Sequence, residues 1–156
     1  MLSRAGWNNV VIFSMLLMIF FLNGFHHKFF AEKSEHHKQL LLPAQSFVLA
    51  LAYPGSKVER IGTSWRSEGE WQASPQQIET LLADWLQTEL MTQDKPSELP
   101  AALSAAQFWL AGQELPWVIQ VFKHEQQYYL FDAQRQLWFS AEASTVQGLF
   151  IPISLE

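Results

Sequence analysis

A chain of 156 residues fits one domain of ordinary size, and its complete lack of Cys excludes disulfides, Cys-ligated zinc, iron–sulfur clusters and a Cys nucleophile. Charged residues are 16% of the chain against 49% hydrophobic, with twelve Phe, seven Trp and three Tyr, a composition that excludes intrinsic disorder. The net charge is −5, and residues 39–156 carry six Lys/Arg against thirteen Asp/Glu, so a nucleic-acid backbone would be repelled.

From Val10 to Leu22 the chain reads VVIFSMLLMIFFL, and the charge-free stretch extends from Trp7 to Phe25. Nineteen helical residues cover about 28 Å, the thickness of a bilayer's hydrocarbon core, so the pattern predicts a single span at about residues 8–25. The segment NGFHHKFFAEKSE that follows has no small-x-small pair for a signal peptidase, which argues for an uncleaved anchor. A bare count of Lys28, Lys33 and Lys38 against Arg4 leans toward a cytoplasmic C-terminus. A short N-tail before a domain of over a hundred residues is the layout of a signal anchor, and the reading adopted is an extracytoplasmic domain.

Residues 26–43 contain Lys28–Glu32 at i,i+4 and Glu35–Lys38 at i,i+3, with no Gly or Pro before Pro43, which predicts a helical stalk. Ser46–Tyr53 is apolar on both alternating faces and reads as a central strand. Pro54–Gly55–Ser56 is turn chemistry that returns Lys57–Ile61 as its hairpin partner, and Trp65–Trp71 adds a third strand around Gly69. Ser74–Pro75–Gln76–Gln77 combines an N-cap, a Pro at the first helical position and a capping-box Gln. Ile78, Leu81, Leu82, Trp85, Leu86 and Leu90 then form one helical stripe that ends near Met91. Residues 98–106 read as a short Ala/Leu-rich helix. Four strands follow at 107–111, 116–123, 128–131 and 137–140, with a last edge strand at 148–153 blunted by Pro152.

The expected fold class is therefore α+β: an N-terminal transmembrane helix and helical stalk, then a small antiparallel sheet built from a hairpin, one amphipathic helix and a β-meander. The expected organisation is a tail and anchor at 1–25, a stalk at 26–43 and an extracytoplasmic domain at 44–156.

Candidate chemistry is sparse. His124, the one His in residues 39–156, sits in an expected turn and no Ser lies in a G-x-S-x-G elbow, which leaves a hydrolase without support. Glu68 and Glu70 are spaced like a carboxylate pair, but Gly69 between them reads as a turn. The pairs His26–His27 and His36–His37 are imidazole-rich yet about 15 Å apart on a helix, too far for one ion. No catalytic, cofactor-binding or metal residue is assigned, and no cofactor or small-molecule substrate is expected. Among the Trp residues, Trp85 belongs to the helix stripe, whereas Trp109, Trp117 and Trp138 lie on strands apolar on both faces and are candidate interface anchors.

The tail ending in Arg4, the anchor at 8–25, the stalk to Pro43 and the small α+β domain resemble, as a layout, the single-pass inner-membrane accessory proteins of type IV pilus and type II secretion assembly systems. Trp71 and the segment SPQQIETLLADWLQTEL are similar to the hairpin–helix unit of uncharacterised envelope proteins. The resemblance implies a non-enzymatic, membrane-anchored assembly subunit of a bacterial envelope machine, placed in the inner membrane with its domain in the periplasm. Its partners would be the membrane, other envelope proteins and possibly a second copy. The alternative is an anchored sensor whose domain binds a small ligand; a scaffold should show an exposed aromatic sheet face or helix groove, a ligand binder a cavity of ~300 Å³ or more with convergent polar groups.

Overall fold

The computed structural model describes residue 6, residues 9–19 and residues 36–151. The chain divides into two compact units, Met1–Glu35 and His36–Glu156. In the first, residues 9–19 form helix α1, whose apolar side chains from Val10 to Ile19 are all exposed. Among the described residues no helix is long and apolar enough to cross a membrane. The single span at 8–25 is corrected accordingly, residues 8 and 20–25 of it lying outside the described residues. The membrane as partner, and the inner-membrane placement with a periplasmic domain, rested on that span and lose their support with it.

The second unit is built on one antiparallel sheet of nine strands: β1 (Lys38–Leu40), β2 (Val48–Tyr53), β3 (Ser56–Ile61), β4 (Ser64–Gly69), β5 (Glu89–Gln93), β6 (Ser104–Leu110), β7 (Trp117–His124), β8 (Gln127–Asp132) and β9 (Leu137–Ala141). Their order across the sheet is β1-β5-β9-β8-β7-β6-β2-β3-β4. Helix α2 (Pro75–Gln87) connects β4 at one edge to β5 near the other, and α3 (Ala143–Leu149) follows β9. This sheet, with no helical stalk among the described residues, replaces the small sheet and stalk expected.

The strand alternation explains the core. In an antiparallel pair, directly opposed residues project to the same side. The registers Tyr53↔Ser56, Leu51↔Phe108, Ala106↔Ile119, Val121↔Leu130 and Leu130↔Phe139 place one continuous apolar set on one face, termed the inner face. Leu51, Phe108, Ile119, Val121, Leu130 and Phe139 are completely buried there. Both helices pack on this face. The Trp85 ring of α2 meets Phe108 edge-on at 4.8 Å and Phe150 at 5.3 Å, and its Nε1 donates to the Tyr53 hydroxyl (2.9 Å) and to the carbonyl of Leu149 (3.1 Å). The Tyr53 hydroxyl in turn donates to the Leu149 carbonyl at 2.6 Å. Burial holds that hydroxyl well above its ordinary pKa, so it stays a neutral donor.

A second knot closes the opposite part of the sheet. Asp132 is fully buried; its carboxylate accepts from Trp117 Nε1 (3.1 Å), Arg135 Nε (2.6 Å) and the main-chain N–H groups of Gln134 and Arg135 (both 2.9 Å). Arg135 Nη2 then donates to the carbonyls of Leu40 (2.9 Å) and Leu41 (2.7 Å). The segment expected to be the end of a stalk is thus stitched into the domain: Lys38–Leu40 pairs with β5, and Leu41 and Leu42 are completely buried. Helix-supporting ion pairs worth a few tenths of a kcal/mol each cannot compete with burying two Leu side chains at about 1.5–3 kcal/mol apiece. Residues 26–35 of the expected stalk lie outside the described residues.

Other expectations divide similarly. The capping box of α2 is present, with Ser74 accepting from the Gln77 N–H and Gln77 Oε1 accepting from the Ser74 N–H. The helix stops at Gln87 rather than Met91, because Thr88 turns extended and Glu89–Gln93 gains ladder partners on both sides. Leu90 is therefore a strand residue. Residues 98–106 form no helix; Ser104–Leu110 alternate buried and more exposed positions as β6. The expected edge strand at 148–153 is instead the end of α3, whose Val146 and Leu149 are buried together with Phe150; residues 152–156 lie outside the described residues. Of the expected central strand Ser46–Tyr53, Val48–Tyr53 forms one, and a register shift between Val48 and Ala50 bulges Leu49 outward to 43% exposure.

Gly69 closes β4 with φ +100°, and a Cβ there would lie 2.1 Å from the Gly55 carbonyl oxygen, which accepts the Glu70 N–H at 3.0 Å. Left-handed backbone and a main-chain clash leave only glycine at this position. Gly69→Ala should lower stability by about 2–4 kcal/mol, read as a fall in the thermal unfolding midpoint by circular dichroism; an unchanged midpoint would contradict the close approach.

Candidate interaction surface

The face opposite the helices, termed the outer face, carries the alternate residues of each strand. The registers Phe131↔Trp138, Phe122↔Tyr129, Gln107↔Val118 and Ala50↔Trp109 fix its composition. Phe131 and Trp138 stack at 4.6 Å with their planes 28° apart, and Phe122 leans on Trp138 at 5.3 Å. Phe122, Tyr129, Phe131 and Trp138 are half-buried, and Trp109 is 36% exposed. The side chains on which α2 and α3 close, Tyr53 and Phe108, belong to the inner face, so neither helix covers this aromatic row.

Toward the β3–β4 edge the outer face becomes charged. Lys57↔Glu68 and Glu59↔Arg66 are opposed pairs. Lys57 Nζ lies 3.1 Å from Glu59 and 6.0 Å from the centre of the Trp109 ring; Arg66 bonds Glu59 and lies 2.9 Å from Glu68. Hydrogen bonds from Lys57 and Arg66 hold the Glu59 carboxyl below the usual carboxylate range. These side chains are solvated, so their energetic weight is small and salt-sensitive. What they do is bring both signs of charge onto one rim beside a neutral aromatic centre.

The structure sorts the candidate interface Trp residues. Trp117 points to the inner face, 8% exposed, with its Nε1 on Asp132, and is core. Trp85 and Trp65 are buried core residues as well. Trp109 and Trp138 belong to the outer face. Phe122, Tyr129 and Phe131 complete the row; the alternation in Tyr128–Phe131 and Trp117–Phe122 signals two apolar faces, but which face the helices take is settled only by tertiary packing.

The remaining candidates do not converge. Glu68 pairs with Arg66, whereas the Glu70 carboxylate lies beyond β4 beside Gly55. His124 ends β7 opposite Gln127. His37 bonds Thr92 through its main chain, and His26–His27 lie outside the described residues. Among the described residues no group of three or more His, Asp or Glu could hold a metal ion. A groove of about 310 Å³ runs between Trp71 and the start of α2, yet Gln77 Oε1 and Thr80 Oγ1 on its wall already bond the helix's own main chain. It has the lower-limit size of a small-ligand site, and Gln76 and Asp84 also line it.

No family model, curated protein or solved structure matches this chain. The surface is therefore read from its own chemistry.

Two outcomes follow. Trp117→Ala should cost about 3–5 kcal/mol in urea unfolding, whereas Trp138→Ala on the open face should cost less than half of that; equal losses would place both in the core. A depressed folded-state pKa means the stabilisation from Glu59 is full above the ordinary Glu pKa and fades as pH falls through the lower, folded value. Carbon-detected NMR titration should place the Glu59 midpoint below the ordinary range, and Lys57→Ala with Arg66→Ala should return it there.

Proposed function

We propose that this chain is a non-enzymatic assembly or accessory subunit that works through protein–protein contacts made by the outer sheet face. The observation that carries this reading is the row Phe122–Trp138–Phe131, with Tyr129 opposite Phe122, on a sheet face that neither helix covers. Large aromatics lose little conformational entropy on docking and dominate interface energetics. A mixed-charge border on one side of an apolar centre suits a recognition patch, whose core is apolar and whose rim is polar. The reading requires no membrane span.

The test is affinity capture with the full chain and with a Phe131→Ala/Trp138→Ala variant verified by thermal melting to be folded. The variant should lose the proteins that the native chain retains, or hold them at least tenfold more weakly. Retention of the same proteins in the same amounts by both chains would remove the outer face from the contact.

A further inference from the structure

β4 is the last strand of the sheet, and among the described residues no further strand pairs with it; the chain that follows it returns to Ser67, whose hydroxyl bonds the main chain of Ala73. Among the described residues, the main chain of residues 64–68 makes no hydrogen bond outside its ladder with β3. Alternate residues of the strand thus turn unpaired N–H and C=O groups away from β3, the arrangement that accepts an added strand, although the Gly69 carbonyl accepts from Gln72 Nε2 (2.7 Å). The opposite edge strand, β1, is only three residues long.

The side chains of β4 restrict what can be added. Arg66 and Glu68 both project from the outer face, 55% and 53% exposed, on either side of Ser67. The geometry points to a second copy of this chain as the occupant, pairing antiparallel β4 to β4 about a two-fold axis at Ser67. That register sets Arg66 opposite the partner's Glu68, and by symmetry does so twice. It also extends the opposed pairs within each copy into two four-residue rows of strictly alternating sign: Glu59, Arg66, the partner's Glu68, the partner's Lys57, and the same row reversed. On the inner face it sets Trp65 opposite the partner's Gly69, so no two bulky side chains meet.

Competing registers are penalised. Among antiparallel pairings that keep inner and outer faces continuous, centring on residue 66 opposes Arg66 to itself and centring on residue 68 opposes Glu68 to itself. Parallel in-register pairing stacks like on like throughout, and like charges directly opposed are destabilising. The charge order thus favours the two-fold pairing centred on Ser67 over these alternatives. The contact is narrow, of the size class of weak, transient interfaces, and independent of the outer-face docking proposed above.

The test is sedimentation equilibrium of the full chain, native, Arg66→Glu and Glu68→Arg, each alone and the two variants mixed. The native chain should dimerise reversibly. Arg66→Glu alone sets acid against acid across the axis and Glu68→Arg alone sets base against base, so each should associate at least tenfold more weakly. In the mixture, the chain that carries acids at both positions faces the chain that carries arginines at both, and a one-to-one heterodimer of native-like affinity should be recovered. A monomeric native chain, a dimer indifferent to both substitutions, or a mixture that fails to re-associate would each overturn the proposal. None of these results bears on the loss of captured partners by the Phe131→Ala/Trp138→Ala variant, so the two readings fail separately.

Discussion

The packing of this domain depends on Trp85. It is the largest fully buried side chain among the described residues, and its indole N–H is shared between the Tyr53 hydroxyl and the Leu149 carbonyl. A buried N–H left unpaired would cost about 1–3 kcal/mol, so the indole can occupy the core only where those acceptors converge. Their convergence orients three elements at once: α2 through Trp85 itself, β2 through Tyr53 and the end of α3 through Leu149. Phe108 and Phe150 pack edge-on around the ring. Both helices are thereby committed to one face of the sheet, and the other face is left to the strands alone.

The Asp132–Arg135 knot performs the corresponding task at the far strands. A buried carboxylate is tolerated because four N–H donors surround it, and the guanidinium is in turn satisfied by the Leu40 and Leu41 carbonyls and lies 5.4 Å from the Trp117 ring centre. Its partners come from the β8–β9 turn, the start of β7 and the end of β1 with the residue after it, segments up to 95 residues apart. An ion pair of this kind adds specificity of arrangement: it decides that residues 38–42 join the sheet as an edge strand and two core Leu residues rather than continuing away as helix.

With the helices on one face and the edge at β1 short, two surfaces remain for contacts. One is the aromatic centre of the outer face; the other is the edge of β4 with its Arg66–Glu68 alternation. They differ in physical character: the first would bind through apolar area removed from water, the second through main-chain hydrogen bonds whose register is chosen by charge.

Local chemistry was legible wherever it is decided within a few residues. The capping box at Ser74–Gln77, the Pro54–Gly55 turn, the hairpin β2–β3 and the strands from Gln107 to Ser140 follow from side-chain oxygens, restricted φ angles and period-two alternation, none of which needs a distant partner. The apolarity of both strand faces was equally plain, and with it the expectation of an aromatic contact surface. What the sequence could not decide was competition between distant segments. Lys38–Leu40 and Glu89–Gln93 have helical periodicity but become strands because each supplies the other's ladder bonds across about fifty residues. Residues 143–149 become helix because Val146, Leu149 and Phe150 meet α2, and Trp117 rather than Trp138 becomes core because Asp132 lies on its side of the sheet. Helix α1, read from hydropathy as part of a span, shows the same limit: an apolar run establishes that its residues avoid water, and not what replaces the water. Composition and spacing determined the capped helix, the tight turns and the two-sided character of the central strands; tertiary structure alone decided the segments that compete for distant partners and which side of the sheet was closed, because burial is a property of pairs of surfaces.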